Sequence, residues 1–333
     1  MSNMNILESK NQKNIQTKKW LLSAFWLVSA GMLLSLFVGK YPLTPALLYR
    51  GDGQAVKVFL TLRLPRTCMA LLGGFGLGTA GYVYQMVFQN PLASPDIIGV
   101  SSGASAGAAF GILFLSAGIF SATLTSFLGG LAAVLLTLAL ARLAPGRGHG
   151  TIVLAGIAVH SLAQTLLMIL KLTADPEREL ASIEYWIMGS LSGISLYRLP
   201  SAVIICLLCL AGIFLLHRQI LLLSMDESES RMLGVSVGKM RLLILLLATL
   251  LTAAIISLTG LVSFIGLIAP HTARLITKDN CFHTLLLGGL SGSFLLIIAD
   301  ILARSASAGE LPVSIFTSLL GVPFLLYLML TRT

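Results

Sequence analysis

Long apolar runs separated by short polar connections dominate the hydrophobic pattern of this chain. The runs cover residues 20–38, 67–88, 97–115, 119–141, 151–170, 200–216, 242–259, 260–273, 284–302 and 311–330. Most approach the length of about 20 residues that a helix needs to cross the hydrocarbon core of a bilayer. We therefore predict an all-α polytopic membrane protein with ten transmembrane helices. The run at 260–273 is short for a span and contains Pro270.

Polar segments divide the chain around these runs. Residues 1–19 carry four lysines and are expected to form a flexible cytoplasmic tail, before a transmembrane domain over 20–333. Residues 39–66 contain prolines and glycines and are expected to form a long external loop. Residues 171–184 are charged with helical periodicity, which predicts a short external surface helix.

The longest polar connection after the first span covers residues 217–241. Asp226, Glu227 and Glu229 precede Arg231 in it, an order that suits the first turn of a helix. A structureless loop of this size is uncommon in a compact protein. We expect short helices on the cytoplasmic face, which form either a solvated connection or a platform for a soluble partner.

Composition and charge fit a membrane protein. Hydrophobic residues make up 56% of the 333 positions, charged residues 11%, and the mean hydropathy is +0.92, which excludes an ordinary soluble domain. The net charge of +9 lies in short loops, so it does not indicate a nucleic-acid partner. With both termini cytoplasmic, thirteen basic residues fall inside and nine outside. The bias is weak because arginines such as Arg63, Arg66 and Arg304 fall on the external side, where basic residues are usually few.

Glycines recur at every fourth position in one segment, at Gly99, Gly103, Gly107 and Gly111. Such spacing places them on one helical face, where another backbone can approach closely.

Motifs of catalysis are absent from the sequence pattern. Gly234 to Lys239 reads GVSVGK, which lacks the spacing and the final Ser or Thr of a phosphate-binding loop. His271 has no carboxylate partner within reach in sequence, and the lone His160 is interpreted as a packing residue rather than a proton relay. Cys206 and Cys209 lie within an apolar run and are interpreted as small apolar residues. We expect no enzyme activity, cofactor or metal site. Scarce ionisable residues also disfavour the alternative of a secondary transporter of a small organic solute driven by an ion gradient.

Several ordered motifs resemble one transporter family. They are RLPR at 63–66, G-x-x-x-Q at 81–85, NPLASPDIIGVSSGA at 90–104, GLVSFIGLIAPHTARL at 260–275, Asp300 with Arg304, and ELPVSIFTSLLGVPF at 310–324. Together they resemble the iron-siderophore and cobalamin (FecCD-type) permeases of ABC importers. Ser314 stands where that family usually has glycine. The spacing of Asp300 and Arg304 also predicts a direct pair on a helix.

The resemblance implies a fold, partners and a cargo. The fold would be that of a cobalamin-importer-like (type II) permease in the bacterial inner membrane. A second permease chain, identical or paralogous, two ATP-binding cassette subunits that hydrolyse ATP, and an extracytoplasmic substrate-binding protein would complete the transporter. The cargo would be an iron(III)-siderophore, with haem or cobalamin as alternatives.

The resemblance also implies roles for single residues. Arg63, Arg66 and Arg304 would dock the binding protein. Contact with the ATPase would fall to residues of the long cytoplasmic loop, namely Arg231, Leu233, Gly234 and Val235. The translocation path is expected along the polar and glycine-rich positions Gly81, Gln85, Asn90, Pro91 and Gly99.

Overall fold

The computed structural model describes residues 2–115, 119–144, 149–196, 199–307 and 309–331, which form a helical bundle. Arg147, Arg198 and Arg332, which entered the charge tally, lie outside these ranges. The helices within them are α1 (Ser2–Phe37), α2 (Pro45–Tyr49), α3 (Gly53–Val58), α4 (Leu64–Val87), α5 (Val100–Phe114), α6 (Ile119–Leu143), α7 (His149–Thr173), α8 (Glu179–Ile187), α9 (Leu199–Leu215), α10 (His217–Leu223), α11 (Glu227–Met232), α12 (Val237–Thr259), α13 (Ile265–Thr277), α14 (Phe282–Ser305) and α15 (Val313–Thr331).

Each of the ten predicted apolar runs overlaps a helix, and these helices are α1, α4, α5, α6, α7, α9, α12, α13, α14 and α15. Within the described ranges, α1, α6, α7, α12 and α14 are long and apolar enough to span a membrane. A sixth span results if the bent pair 202–215 and 217–223 is counted as one. The glycine-rich α4 and the shorter α5 and α13 are largely buried by other helices. Their small or polar residues therefore contact protein rather than lipid.

Two helix pairs approach closely through glycine. In the first pair, a side chain added at Gly74 or Gly78 of α4 would collide with the backbone of Gly292 or Gly288 in α14. In the second pair, Gly103 and Gly107 of α5 face Gly129 and Thr125 of α6. The predicted close approach along the glycine repeat is confirmed for α5. Helix α12 contacts α4, α5 and α6.

Two of the breaks between helices in the described ranges lie close together. After α4, the turn at 88–99 includes a 3-10 turn at Pro95–Ile98, and α5 then begins beside α7. After α12, residues 260–264 are non-helical and α13 begins at Ile265. The predicted span 260–273 is therefore wrong in its first five residues. Gly260 adopts a positive φ and ends α12, and Phe264 adopts a left-handed conformation that is rare for a bulky residue.

The breaks meet about three-quarters of the way along α4. Pro95 packs beside Gly266, and the Gly266 backbone contacts Gly81 of α4. Gly81 lies six residues before the end of α4, or about 9 Å at 1.5 Å per residue. The first turns of α5 and α13 thus lie inside the bundle.

Three predicted polar segments differ in detail from expectation. The tail at 2–19 is helical in α1 rather than flexible, because no glycine or proline occurs in it to stop the helix. The predicted external loop contains α2, α3 and a π-helical turn at Phe59–Arg63 that continues into α4. The surface helix predicted at 171–184 is α8, which begins only at Glu179.

Candidate functional site

A cluster of charged residues lies where α4 begins and α14 ends; we call it the arginine cluster. It consists of Arg63, Arg66, Asp300, Arg304 and Glu310. Arg66 donates from Nε to Asp300 Oδ1 at 2.6 Å and from Nη1 to Glu310 Oε2 at 2.9 Å. The predicted pair of Asp300 with Arg304 is confirmed, with Nε and Oδ2 3.5 Å apart. The shorter bond of Asp300 is the one to Arg66.

The three arginines of this cluster are buried. Arg63 and Arg66 are each 7% exposed and Arg304 is 3% exposed. Arg63 donates to the carbonyl of Val38, and Arg304 donates from Nη2 to the carbonyl and the hydroxyl of Ser35, both at 2.7 Å. Ion pairs and the end of α1 therefore enclose these arginines in the subunit, and their role in docking a binding protein stays a prediction.

The arginine cluster has more positive than negative groups. Three guanidinium groups face two carboxylates, those of Asp300 and Glu310. Arg66 Nη2 and Arg304 Nη1 are buried and have no hydrogen-bond partner among the described residues. The cluster can therefore accept a further anionic group.

The opposite end of the bundle carries the connection between α9 and α12. We call residues 217–236 of it the polar platform. Met232 is 87% exposed and Leu233 is 60% exposed, and Gly234 follows with a φ of +80°. Arg231 donates to Glu227 one helical turn earlier, at 2.6 Å.

The four residues expected to contact the ATPase are brought together here. Arg231, Leu233 and Gly234 are exposed and Val235 is half-buried. The short helices predicted for this connection are confirmed as α10 and α11. Gln89, in the turn after α4, donates from Nε2 to the carbonyl of Met225 at 2.8 Å, and so fixes the platform to the bundle.

Three of the five residues expected on the translocation path pack helices together within the subunit. Gly81 lies against the backbone of Gly266. Gln85 is 1% exposed, donates to the carbonyl of Leu267 at 3.1 Å and accepts from Arg274. Gly99 is buried beside His160, with a φ of +81°. Within the subunit these three residues serve close packing, for which a small side chain or an amide is suited, and their place on a translocation path stays a prediction.

The other two expected path residues lie at the turn after α4. Asn90 is exposed, and its Oδ1 accepts from the backbone N–H of Leu92 at 2.9 Å. Pro91 is half-buried. Both therefore begin the turn, and neither is enclosed by other helices.

Sequence reasoning missed a polar cavity of about 240 Å³ between the two helix breaks. Its polar lining consists of Ser94, Asp96, Ser101 and Ser263 together with Thr252 of α12. Asp96 accepts a hydrogen bond from Ser101 Oγ, and Ser94 Oγ lies 3.4 Å from its other carboxylate oxygen. Ser94, Asp96 and Ser101 belong to the motif at 90–104. A prediction based on the polar residues of that motif, rather than on its glycines, would have located the cavity.

The remaining candidate residues are placed in the packing. His271 is buried on α13, with its ring 6.1 Å from that of Phe324. Cys206 and Cys209 are buried free thiols of α9, as predicted. The hydroxyl of Ser314, at the position usually held by glycine, donates to the carbonyl of Met188 and so ties α15 to the end of α8.

Comparisons with known proteins agree with these features. The model of the FecCD transport family matches residues 27–331. A probable iron chelatin transport system permease protein of Helicobacter pylori is 36% identical over 82% of this chain and 82% of its own length. The achromobactin transport system permease protein of Dickeya dadantii is 36% identical over 96% and 94%. At similar identity, relatives in Halobacterium salinarum, Haemophilus influenzae and Yersinia pestis are named for cobalamin, molybdate and hemin transport.

The fold matches a solved transporter. A structure described as an inward-facing conformation of a putative metal-chelate type ABC transporter superposes with a TM-score of 0.84 at 32% identity, and the match covers 95% of this chain and 100% of that one. This likeness assigns an ABC importer rather than an ion-driven transporter, and ATP hydrolysis in such an importer belongs to other subunits. The chain therefore belongs to the FecCD transport family and is a membrane permease subunit of an ABC importer for iron chelates, haem, cobalamin or molybdate.

Proposed function

We propose that this permease carries an iron(III)-siderophore into a bacterial cell. Two relatives that align over most of their length are named for iron chelatin and achromobactin transport. The turn NPLASPDIIGV, which resembles the siderophore members more than the cobalamin members, encloses the polar cavity at Ser94 and Asp96. A cargo that passes this cavity meets hydroxyl and carboxylate groups rather than a bare apolar wall.

The direction of transport is inferred from the exposed polar platform. Its consecutive exposed residues at 231–234 form a surface that a soluble ATPase can contact. We place this end in the cytoplasm together with both termini, and the arginine cluster outside. A second permease chain, a copy or a paralogue, and two ATPase subunits complete the transporter in the inner membrane.

The arginine cluster is the proposed contact with the binding protein. Because its guanidinium groups exceed its carboxylates, an acidic side chain from a partner would compete with Asp300 and Glu310 for Arg66 and Arg304. Arg63→Gln should reduce uptake and weaken the salt dependence of binding-protein association, because it removes one of the positive charges that attract an acidic partner. Arg50→Gln, an exposed arginine of the same end, is the control. Equal uptake by wild type and Arg63→Gln would refute this contact.

The cargo is tested by uptake of labelled ligands. Cells that express the transporter would receive ferric siderophores, haem, cobalamin or molybdate, each with and without the ATPase gene. ATPase-dependent uptake of a ferric siderophore alone supports the proposal. Uptake of another cargo in its place contradicts it and leaves the family assignment intact.

A further inference from the structure

A larger cavity lies between α8, the end of α5, the start of α6 and the end of α12; we call it the α8 cavity. Its volume is about 680 Å³, compared with about 240 Å³ for the polar cavity between the helix breaks. Small-molecule sites have volumes of about 300–1,000 Å³. Because α12 begins at the platform and ends at this cavity, the cavity lies at the opposite end of the bundle, with the arginine cluster.

The α8 cavity adjoins the arginine cluster through the segment that joins α14 to α15. Glu310 of that segment accepts from Arg66 of the cluster. Three residues later, the N–H of Val313 donates to the carbonyl of Gly189 at 2.9 Å, and Gly189 lies two residues after α8. A cargo released from a binding protein on the cluster would therefore be set free beside this cavity.

Backbone contacts hold α8 and the turn after it in place. The N–H of Ser190 donates to the carbonyl of Thr259 at 2.7 Å. Gly189 and Gly260 both adopt a positive φ, and a side chain added to Gly189 would collide with the carbonyl oxygen of Leu261. This wall of the cavity is thus formed before a ligand arrives, as is usual for small-molecule sites.

Three hydroxyl groups form a cluster on this wall. Ser190 Oγ and Ser192 Oγ are 2.8 Å apart, and Tyr185 Oη lies 3.3 Å from each of them. A hydroxyl group is both donor and acceptor, and it rotates to suit its partner. The cluster can therefore turn its O–H groups toward oxygen atoms of a ligand while the backbone stays in place. Tyr185 and Ser192 are exposed and can be reached directly.

Aromatic rings lie beside these hydroxyl groups. Tyr185 and Trp186 are consecutive residues of α8, and both line the cavity. Each combines a flat apolar ring with a polar group that forms hydrogen bonds. Siderophores bind iron(III) through the oxygen atoms of planar hydroxamate, catecholate or carboxylate groups. Such a chelate can pack its planar groups on the rings and accept hydrogen bonds at its outer oxygen atoms.

The α8 cavity is followed by the polar cavity along α12. Ser257 and Thr259 line the first cavity, and Thr252 and Ile256 line the second. Thr252 lies seven residues before Thr259, or about 10 Å along the helix at 1.5 Å per residue. A cargo that leaves the α8 cavity in this direction meets further hydroxyl groups nearer the middle of the bundle.

We propose that the α8 cavity is a binding site for the cargo, which Tyr185, Ser190 and Ser192 hold by its outer oxygen atoms. The class of ligand is an oxygen-rich iron(III) chelate, and this class rests on the proposed function. The site receives the chelate from the docked binding protein and passes it toward the polar cavity. Its hydroxyl groups therefore act on the transfer of cargo and not on docking.

Uptake by the complete transporter in proteoliposomes tests the site. Permease, ATPase and loaded binding protein are combined, and the labelled cargoes are ferric complexes of a trihydroxamate, a catecholate and citrate, and haem, cobalamin and molybdate. Tyr185→Phe combined with Ser192→Ala should lower the maximal uptake rate about tenfold, because two hydrogen bonds to the cargo are lost. The concentration of loaded binding protein at half-maximal rate should stay as in wild type, because the arginine cluster is unchanged.

Matched variants separate a contact with the cargo from a structural effect. Ser192→Thr keeps the hydroxyl group and should transport faster than Ser192→Ala. Tyr49→Phe, at an exposed tyrosine of the same end, is the control and should transport as wild type does. Equal maximal rates in the double variant and wild type would overturn the proposal. Equal losses in Ser192→Thr and Ser192→Ala would also overturn it, since they would indicate packing rather than a hydrogen bond.

The panel of cargoes keeps this proposal apart from the proposed function. If wild type transports haem, cobalamin or molybdate and none of the ferric chelates, the siderophore proposal fails. The α8 cavity is then judged by the ratio of the double variant to wild type for the transported cargo. A tenfold loss would retain the cavity as a cargo site, and an equal rate would refute it as well.

Discussion

The arginine cluster and the polar platform use charged residues in opposite ways. In the cluster, Arg66 and Asp300 are buried and paired across two helices, so each depends on the other for stability. On the platform, Arg231 and Leu233 are exposed and contribute little to folding. A substitution in the cluster therefore tests folding before it tests docking. A substitution on the platform tests the contact with a partner directly.

The largest expected effect is that of Arg66→Ala. It would leave Asp300 buried without its closest partner, and the loss of one member of a buried pair costs about 3–5 kcal/mol. Thermal unfolding in detergent measures the change. Arg50→Ala should stay within about 0.5 kcal/mol of wild type. If Arg66→Ala is as stable as that control, the two regions do not differ in the way described.

A double substitution tests the pair of Arg66 and Asp300 in the arginine cluster more directly. Arg66→Met combined with Asp300→Asn should be more stable than the sum of the two single effects predicts, by about 0.5–3 kcal/mol. The reason is that the second change removes the charge that the first change leaves unpaired. Additive effects in this double-mutant cycle would contradict a direct pair.

Leu233→Asp should change the free energy of unfolding by less than about 0.5 kcal/mol, because the side chain is already 60% exposed. If the platform contacts the ATPase, the same substitution should abolish uptake and leave ATP hydrolysis uncoupled. Uptake by cells and ATPase activity of the purified transporter measure both effects. Tyr49→Asp, an exposed aromatic residue at the other end, is the matched control. Normal coupled uptake in Leu233→Asp would place the contact elsewhere.

The smallest effect is expected for the exposed pair of Arg231 and Glu227. Arg231→Ala should cost about 0.3–0.5 kcal/mol, and the loss should diminish in high salt because the pair is screened. In a Glu227→Gln background the cost should vanish. A loss above about 2 kcal/mol would show that the platform depends on its charges for folding, as the cluster does.

The helices were predictable because each depends on a local run of apolar residues. The pair of Asp300 and Arg304 could also be predicted from the sequence, since the two residues are one helical turn apart. The stronger pair of Arg66 and Asp300 was not, because its members are 234 positions apart and only the packing of α4 on α14 brings them together. Burial of the arginines followed from that same packing.

The translocation path shows a second limit of the sequence. A glycine such as Gly81 fits an open passage and a close helix contact equally well, and only the position of Gly266 reveals the close contact. Ser94 and Asp96 carried a stronger signal, because an acid between two apolar spans is costly unless polar groups or water lie beside it. Ser101 supplies that neighbour.

The glycine contacts of α4 with α14 and of α5 with α6 have a mechanical consequence. Interlocked backbones resist sliding, so each pair is expected to move as a rigid body. The connection between the two bodies is the turn at 88–99, which can act as a hinge. Gln89 in this hinge donates to the carbonyl of Met225 on the platform. A displacement of the platform would therefore move the hinge about which the pair α4–α14 and the pair α5–α6 rotate.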